Sequence, residues 1–205
     1  EKRQSEAFFQ RNTEIVTNLE KLRGICDIGD KQFQSNDVIQ INAETLLEEA
    51  ELYLKRKEAI IHATLDYDEL NIHKEIHWQG IQAKNIVFCE GAKGKKNPFF
   101  QELEFENAYG HIIELSANKL PSNTILNHGK WLCPMGNKQF KYGASSYWDD
   151  TDENKDKSRD TITKSLKKFL KAPYEIKAIH HGVRPVLKER KPVAQLHPRQ
   201  QNIGI

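Results

Sequence analysis

The chain has 205 residues, enough to bury a substantial core in one large domain or two small ones. Its 31 basic and 29 acidic side chains leave a formal charge of +2, so no bulk field favours nucleic acid or an anionic membrane. Hydrophobic residues make up only 38%, which predicts a surface rich in solvated charge.

Phe8, Ile15, Val16, Leu19 and Leu22 recur at helical spacing, with Gly24 as a stop, and predict a one-sided helix over about 5–23. Asn42 is a good N-cap for a second helix whose face carries Leu46, Leu47, Ala50 and Leu54. That helix ends in the cations Lys55, Arg56 and Lys57, which suit a helix C-terminus. Ala59–Leu65 reads as a strand, the polar stretch to Gly80 as a hairpin-like excursion, and Asn85–Cys89 as a short apolar strand. A buried strand ending in Glu90-Gly91-Ala92 after these elements reads as the second half of a nucleotide-binding α/β layer.

From residue 99 the texture changes. Phe99–Leu103, Tyr109–Leu115, Thr124–Leu126, Lys130–Cys133 and Gln139–Tyr142 read as short strands between turn residues, which predicts an antiparallel sheet. Residues 149–160 are charged and read as a solvated turn. Ile162, Leu166, Phe169 and Leu170 then mark a helix closed by Pro173, and a strand-like segment leads into His181-Gly182-Val183-Arg184-Pro185. Both ends look cut: no methionine opens the chain, and Asn202–Ile205 reads as the middle of a strand, so a fragment of a longer protein is expected.

Cys26, Cys89 and Cys133 are odd in number and far apart, which predicts reduced thiols in a cytoplasmic protein. No apolar run reaches the length of a membrane span. The eight histidines form no ligand spacing, and His180 and His181 should point to opposite faces of a strand. Gly91-Ala92-Lys93-Gly94-Lys95-Lys96 lacks the spacing and hydroxyl of a phosphate-binding loop. Gly91 is therefore either a plain tight turn or a point where backbone approaches a dinucleotide. Arg184, fixed between a glycine side and a proline, either bonds loop carbonyls or offers its planar fork to a carboxylate. The basic tail Arg184, Lys188, Arg190, Lys191 and Arg199 fits a strand-turn-strand edge better than a phosphate surface.

Together these stretches resemble the FAD-dependent oxidoreductases of the D-amino-acid oxidase, glycine oxidase and sarcosine oxidase superfamily. Val38–Asn42 with its helix resembles the opening of the second part of the FAD domain, and Ala63-Thr64-Leu65 the strand beside the adenine. Ile86–Ala92 is similar to the apolar strand that ends in a turn against the cofactor. Ala108–His111, Lys130–Pro134 and Tyr142–Ala144 resemble the substrate-domain sheet, and His181–Pro192 the family's GLRP segment. The sequence departs from that pattern at Glu90, Lys93 and Glu189, and contains no GxGxxG.

The resemblance implies an α+β fold: a partial FAD-binding α/β layer plus an antiparallel substrate-binding domain. It implies an entry helix over 1–37, the remainder of the FAD domain over 38–96, the substrate domain over 97–181 and a return segment over 182–205. The implied activity is oxidation of an amine or amino acid by hydride transfer to FAD, with no nucleic-acid or membrane partner. Arg184 would hold the substrate carboxylate, while Thr64, Leu65, Glu90, Gly91 and Ala92 would lie at the cofactor. Tyr109, Trp131 and Tyr142 either wall the substrate pocket or simply pack the sheet. Without the βαβ unit that carries a pyrophosphate, the isolated chain is expected to hold little FAD and to be inactive. The alternative is a noncatalytic module that captures an acidic small ligand through Arg184.

Overall fold

His111, Ile113 and Leu115 are buried at every second position, and this period builds β5 (Phe105–Ser116), a 12-residue strand. The computed structural model of the chain describes residues 20–27 and 39–205. These are α+β, as the sequence predicts. In chain order they comprise α1 (Glu20–Arg23), α2 (Ala43–Arg56), β1 (Asn71–Ile72), β2 (Ile76–Trp78), β3 (Ile81–Ala83) and β4 (Ile86–Val87). After β5 come β6 (Leu126–Asn127), β7 (Trp131–Gly136), β8 (Gln139–Gly143), α3 (Asp152–Phe169), β9 (Glu175–Leu187) and β10 (Ile203–Gly204).

The main sheet is antiparallel throughout, in the order β6-β7-β8-β5-β9. β9 pairs with β5 along its whole length, from Phe105 opposite Leu187 to Ser116 opposite Glu175, with one irregularity at Glu114/Leu115. One face carries Ile113, Leu115, Leu132, Phe140 and Tyr142, which pack against Ile162, Leu166 and Phe169 of α3. Leu22 and Cys26 close the end of this core, and the backbone of Ile25–Asp27 is tied to Phe169, Lys171 and Ala172. Burial pushes the Cys26 thiol up to about 11, so it sits there as a small apolar group.

A second, smaller core gathers Phe88, Phe100 and Ile203, with Leu65, Tyr67 and Leu70 against it. Its spine is the parallel pair β4–β10, Ile86 beside Ile203 and Val87 beside Gly204. The polar excursion before it is a three-stranded meander, β1-β2-β3.

Three expectations change, and a fourth cannot be compared. The helix over 5–23 lies outside the described residues except at α1. Ala59–Leu65 is extended but has no ladder partner among the described residues, because strand propensity makes a strand only where another backbone offers its N–H and C=O groups. Residues 99–103 form turns, since Asn97 Oδ1 accepts from the Phe99 amide at 2.8 Å and competes with strand pairing. The charged stretch 149–160 is mostly helix: Thr151 caps α3 by accepting from the Asn154 amide at 3.2 Å, and Asp152 and Glu153 suit its N-terminus. Ser158 begins the buried stripe that runs through Ile162, Leu166 and Phe169, so charge on the outer positions concealed the period.

α2 forms where expected, with Asn42 accepting from the Thr45 amide at 3.3 Å. Yet none of its side chains is buried, and Leu47 is 69% exposed. Cap, termini and a Glu51–Lys55 pair at 2.6 Å hold it, rather than packing.

His111 is buried on the helix-covered side, and His128 lies exposed at its edge against Phe169. His111 Nδ1 lies 3.2 Å from the Ser158 hydroxyl, and His128 stacks on Phe169. Burial, with His181 beside the first and Lys130 beside the second, pushes both imidazoles below the ordinary 6.5. They stay neutral in the fold while the unfolded chain takes up protons, so their contribution is complete above 6.5 and is lost as pH falls below it. The unfolding midpoint followed by circular dichroism is expected to be level above neutral pH and to drop below pH 6.5, with a shallower fall in His111→Gln.

Candidate functional site

The two cores leave a cleft of about 710 Å³ between them. One lip is the end of β4, where the chain turns sharply at Glu90-Gly91. Gly91 has φ +57°, and a Cβ built there meets nothing within 4 Å, so bare backbone is presented to open space. Glu90 lines the same lip, but its carboxylate is engaged: it accepts from the Tyr67 hydroxyl and, at 2.7 Å, from Asn97 Nδ2. Burial and this carboxylate push the Tyr67 phenol up to about 12, which keeps it a hydrogen-bond donor. Buried Asn97 thus fixes both the turn after it and the acid before it.

The opposite wall is the uncovered face of the main sheet, and strand alternation decides what it carries. Arg184 faces Ala108 across β9 and β5, followed by Gly182 opposite Gly110 and His180 opposite Ile112. These residues share the face away from α3. Val183, His181 and Ile179 point the other way, where His181 Nε2 lies 2.7 Å from the Tyr147 hydroxyl. Arg184 is exposed at the cleft, and its guanidinium makes no ion pair or hydrogen bond among the described residues. Farther along the open face, Glu114 sits 3.2 Å from His180 and 3.4 Å from Lys141. The His180 hydrogen bond, helped by Lys141, holds the Glu114 carboxyl below its ordinary range.

After β8 the segment Ser145–Tyr147 runs on beside β5, with reciprocal backbone bonds between Tyr109 and Tyr147 at 2.9 and 2.8 Å. Tyr147 therefore shares the α3 face with Tyr109, stacked at 5.5 Å, and Ser146 and Trp148 fall to the cleft side. Gly110 permits this approach.

Of the residues expected at a site, the structure brings together Arg184, Glu90 and Gly91. Ala92 lies just behind the lip, and Asn107 Nδ2 donates to its carbonyl at 3.5 Å. Leu65 packs into the second core while Thr64 is exposed, and neither lines the cleft. Trp131 shares Arg184's face but lies three strands away, with β8 and β5 between them, over Gly143. Tyr109 and Tyr142 are on the wrong face for walling the cleft. Tyr142 is fully buried under α3, its hydroxyl 2.8 Å from Ser165 and 3.1 Å from His128. Two wall residues, Ser146 and Trp148, escaped the sequence reading. Burial alternates along Ser145–Trp148, with Ser145 and Tyr147 inward and Ser146 and Trp148 outward, but the residue types Ser-Ser-Tyr-Trp do not, so no sequence period marked Trp148.

Among the described residues no helix is long and apolar enough to cross a membrane, and no group of His, Cys, Asp and Glu could hold a metal ion. No family model matches the chain. Solved structures do. Glycine oxidase from Geobacillus kaustophilus aligns over 98% of this chain and 60% of its own, at 15% identity and a TM-score of 0.65. Iminodiacetate oxidase from Chelativorans sp. BNC1 aligns over 100% and 60%, at 15% identity and a TM-score of 0.57. For glycine oxidase from Bacillus cereus the shares are 71% and 42%, at 13% identity and a TM-score of 0.52. The fold is that of part of these oxidases. The chain spans 42% to 60% of their lengths.

Gly110 offers a direct test of how the cleft wall is built. A Cβ there would lie 2.1 Å from the Ser145 carbonyl oxygen, a backbone atom that cannot swing aside. Gly110→Ala is expected to cost about 1–3 kcal/mol in urea unfolding, the usual range for overpacking, and to shift tryptophan emission as Trp148 is displaced.

Proposed function

We propose that this chain forms the central portion of an FAD-dependent oxidoreductase that oxidises an amine or amino acid, with Arg184 holding the substrate carboxylate. The observation that carries the reading is a guanidinium with no partner among the described residues on the open face of the sheet, across a cleft from a bare glycine turn. The fold likeness supports it, since glycine and iminodiacetate, the compounds for which those oxidases are named, each carry a carboxylate beside an amine. In this reading 38–96 belongs to the FAD domain, 97–181 to the substrate domain, and 182–205 returns between them.

The residues present fit the cofactor at one place above all. Gly91 and the backbone after β4 offer a lip that a flat ring system can approach, because no side chain stands in the way. FAD, when bound, supplies the hydride acceptor. The chain's own groups do the rest. Arg184 binds the carboxylate through two parallel N–H donors, which fixes the direction of the substrate's Cα–H bond. Trp148, Ala108 and Phe105 supply apolar wall that keeps water from the reacting carbon. Glu90 is held by Tyr67 and Asn97, so it braces the lip and leaves Arg184 free for an anionic ligand.

In a flavin-loaded full-length parent, Arg184→Lys keeps the charge but loses the fork, so substrate binding is expected to weaken by about 1.5–3 kcal/mol at unchanged flavin content. Steady-state kinetics with a carboxylate-bearing amine and with one lacking a carboxylate provide the check. Equal losses for both would reduce Arg184 to a loop brace. At the other lip, Gly91→Val in the full-length parent combines a branched side chain with φ +57° and should abolish flavin retention, read as absorbance per protein, while far-ultraviolet dichroism stays native. Unchanged flavin content would leave Gly91 a turn residue only.

A further inference from the structure

The cleft holds more positive charge than one carboxylate needs. Arg184, Arg190 and Lys191 line it against a single acid, Glu90, whose oxygens are already taken by Tyr67 and Asn97. Lys191 pairs with Glu189 at 3.4 Å. Arg190, like Arg184, has a guanidinium without an ion pair or hydrogen bond among the described residues.

Arg190 also occupies an unusual backbone position. It closes the turn after β9, its amide donating to the Leu187 carbonyl at 2.7 Å, and its φ is +55°. Glycine is the residue that takes this conformation without strain, so an arginine here is held against a local preference. This turn places at the cleft a second guanidinium with no partner among the described residues.

We propose that the substrate is an amine bearing two carboxylates, one held by Arg184 and the other by Arg190. The assignment rests on the Arg184 reading above and adds the substrate class. Two anchors from separate elements, β9 and the turn beyond it, would fix both ends of such a molecule and leave its amine between them. A monocarboxylate would leave Arg190 unused. The other anion that a basic cleft attracts is a phosphate of the cofactor, and the experiment separates the two.

The chain is titrated by calorimetry at low ionic strength with iminodiacetate, with N-methylglycine, which lacks one carboxylate, and with FAD. Iminodiacetate is expected to bind roughly tenfold tighter or more, as one extra charged hydrogen-bond pair allows. Arg190→Gly should erase that advantage and leave N-methylglycine unchanged, with an equal or higher melting temperature because glycine relaxes the turn. Arg184→Gln should weaken both probes. Equal affinities, with Arg184→Gln still weakening both, would overturn the second anchor alone. An iminodiacetate affinity untouched by Arg190→Gly, or an effect of that variant on FAD instead, would also overturn it. Insensitivity of both probes to Arg184→Gln, or no binding of either, would sink the Arg184 reading and the two-carboxylate assignment with it.

Discussion

The β5–β9 ladder is the constraint on which the rest of the molecule depends. β5 lies between β8 and β9, and its pairing with β9 runs unbroken from Phe105 opposite Leu187 to Glu114 opposite Ala178. Because side chains alternate along a strand, this register sends His111, Ile113 and their partners into the core under α3, and Ala108, Gly110 and Arg184 to the open face. A slip by one residue would bury Arg184 and expose Ile113, which is wholly buried. The hydrophobic free energy of the α3 core therefore holds Arg184 at the cleft.

The same ladder ties two cores of different character together. Beyond Leu187 the chain turns through Arg190 and returns as β10, which lies parallel to β4 and sets Ile203 beside Phe88 in the second core. The Phe88 amide donates to the Gly204 carbonyl at 2.9 Å, so the Glu90-Gly91 lip is held by residues far along the chain. Parallel pairing needs such a return. Gly91 can leave its backbone bare because Asn97, Glu90 and Tyr67 brace the turn from behind.

Polar groups sort by the same parity. On the α3 side, Ser145, Ser158 and His111 satisfy one another in a buried chain, with Ser158 donating to Ser145 at 2.7 Å. That network is structural, because an unpaired group there would cost about 1–3 kcal/mol. On the open side, Glu114, Lys141 and His180 form a solvated cluster, while Arg184 and Arg190 line the cleft without side-chain partners among the described residues.

The sequence by itself determined the α+β class, the antiparallel texture after residue 99, the cap at Asn42 and the opposite facing of His180 and His181, since each follows from local period or turn chemistry. The short motif around Arg184 and the glycine after Glu90 were also visible, as residue types whose backbone and charge are distinctive. Only the tertiary structure decided which of them share a cleft. Tyr109, Trp131 and Tyr142 look alike in the sequence, yet the register sends two of them to the α3 face and the third three strands from Arg184. Ala59–Leu65 has strand propensity but no partner among the described residues, and α2 has an apolar face that none of them covers. Trp148 and Arg190 reach the cleft through an edge pairing and a strained turn. Both depend on which backbone lies alongside, a quantity with no local period for a sequence to display.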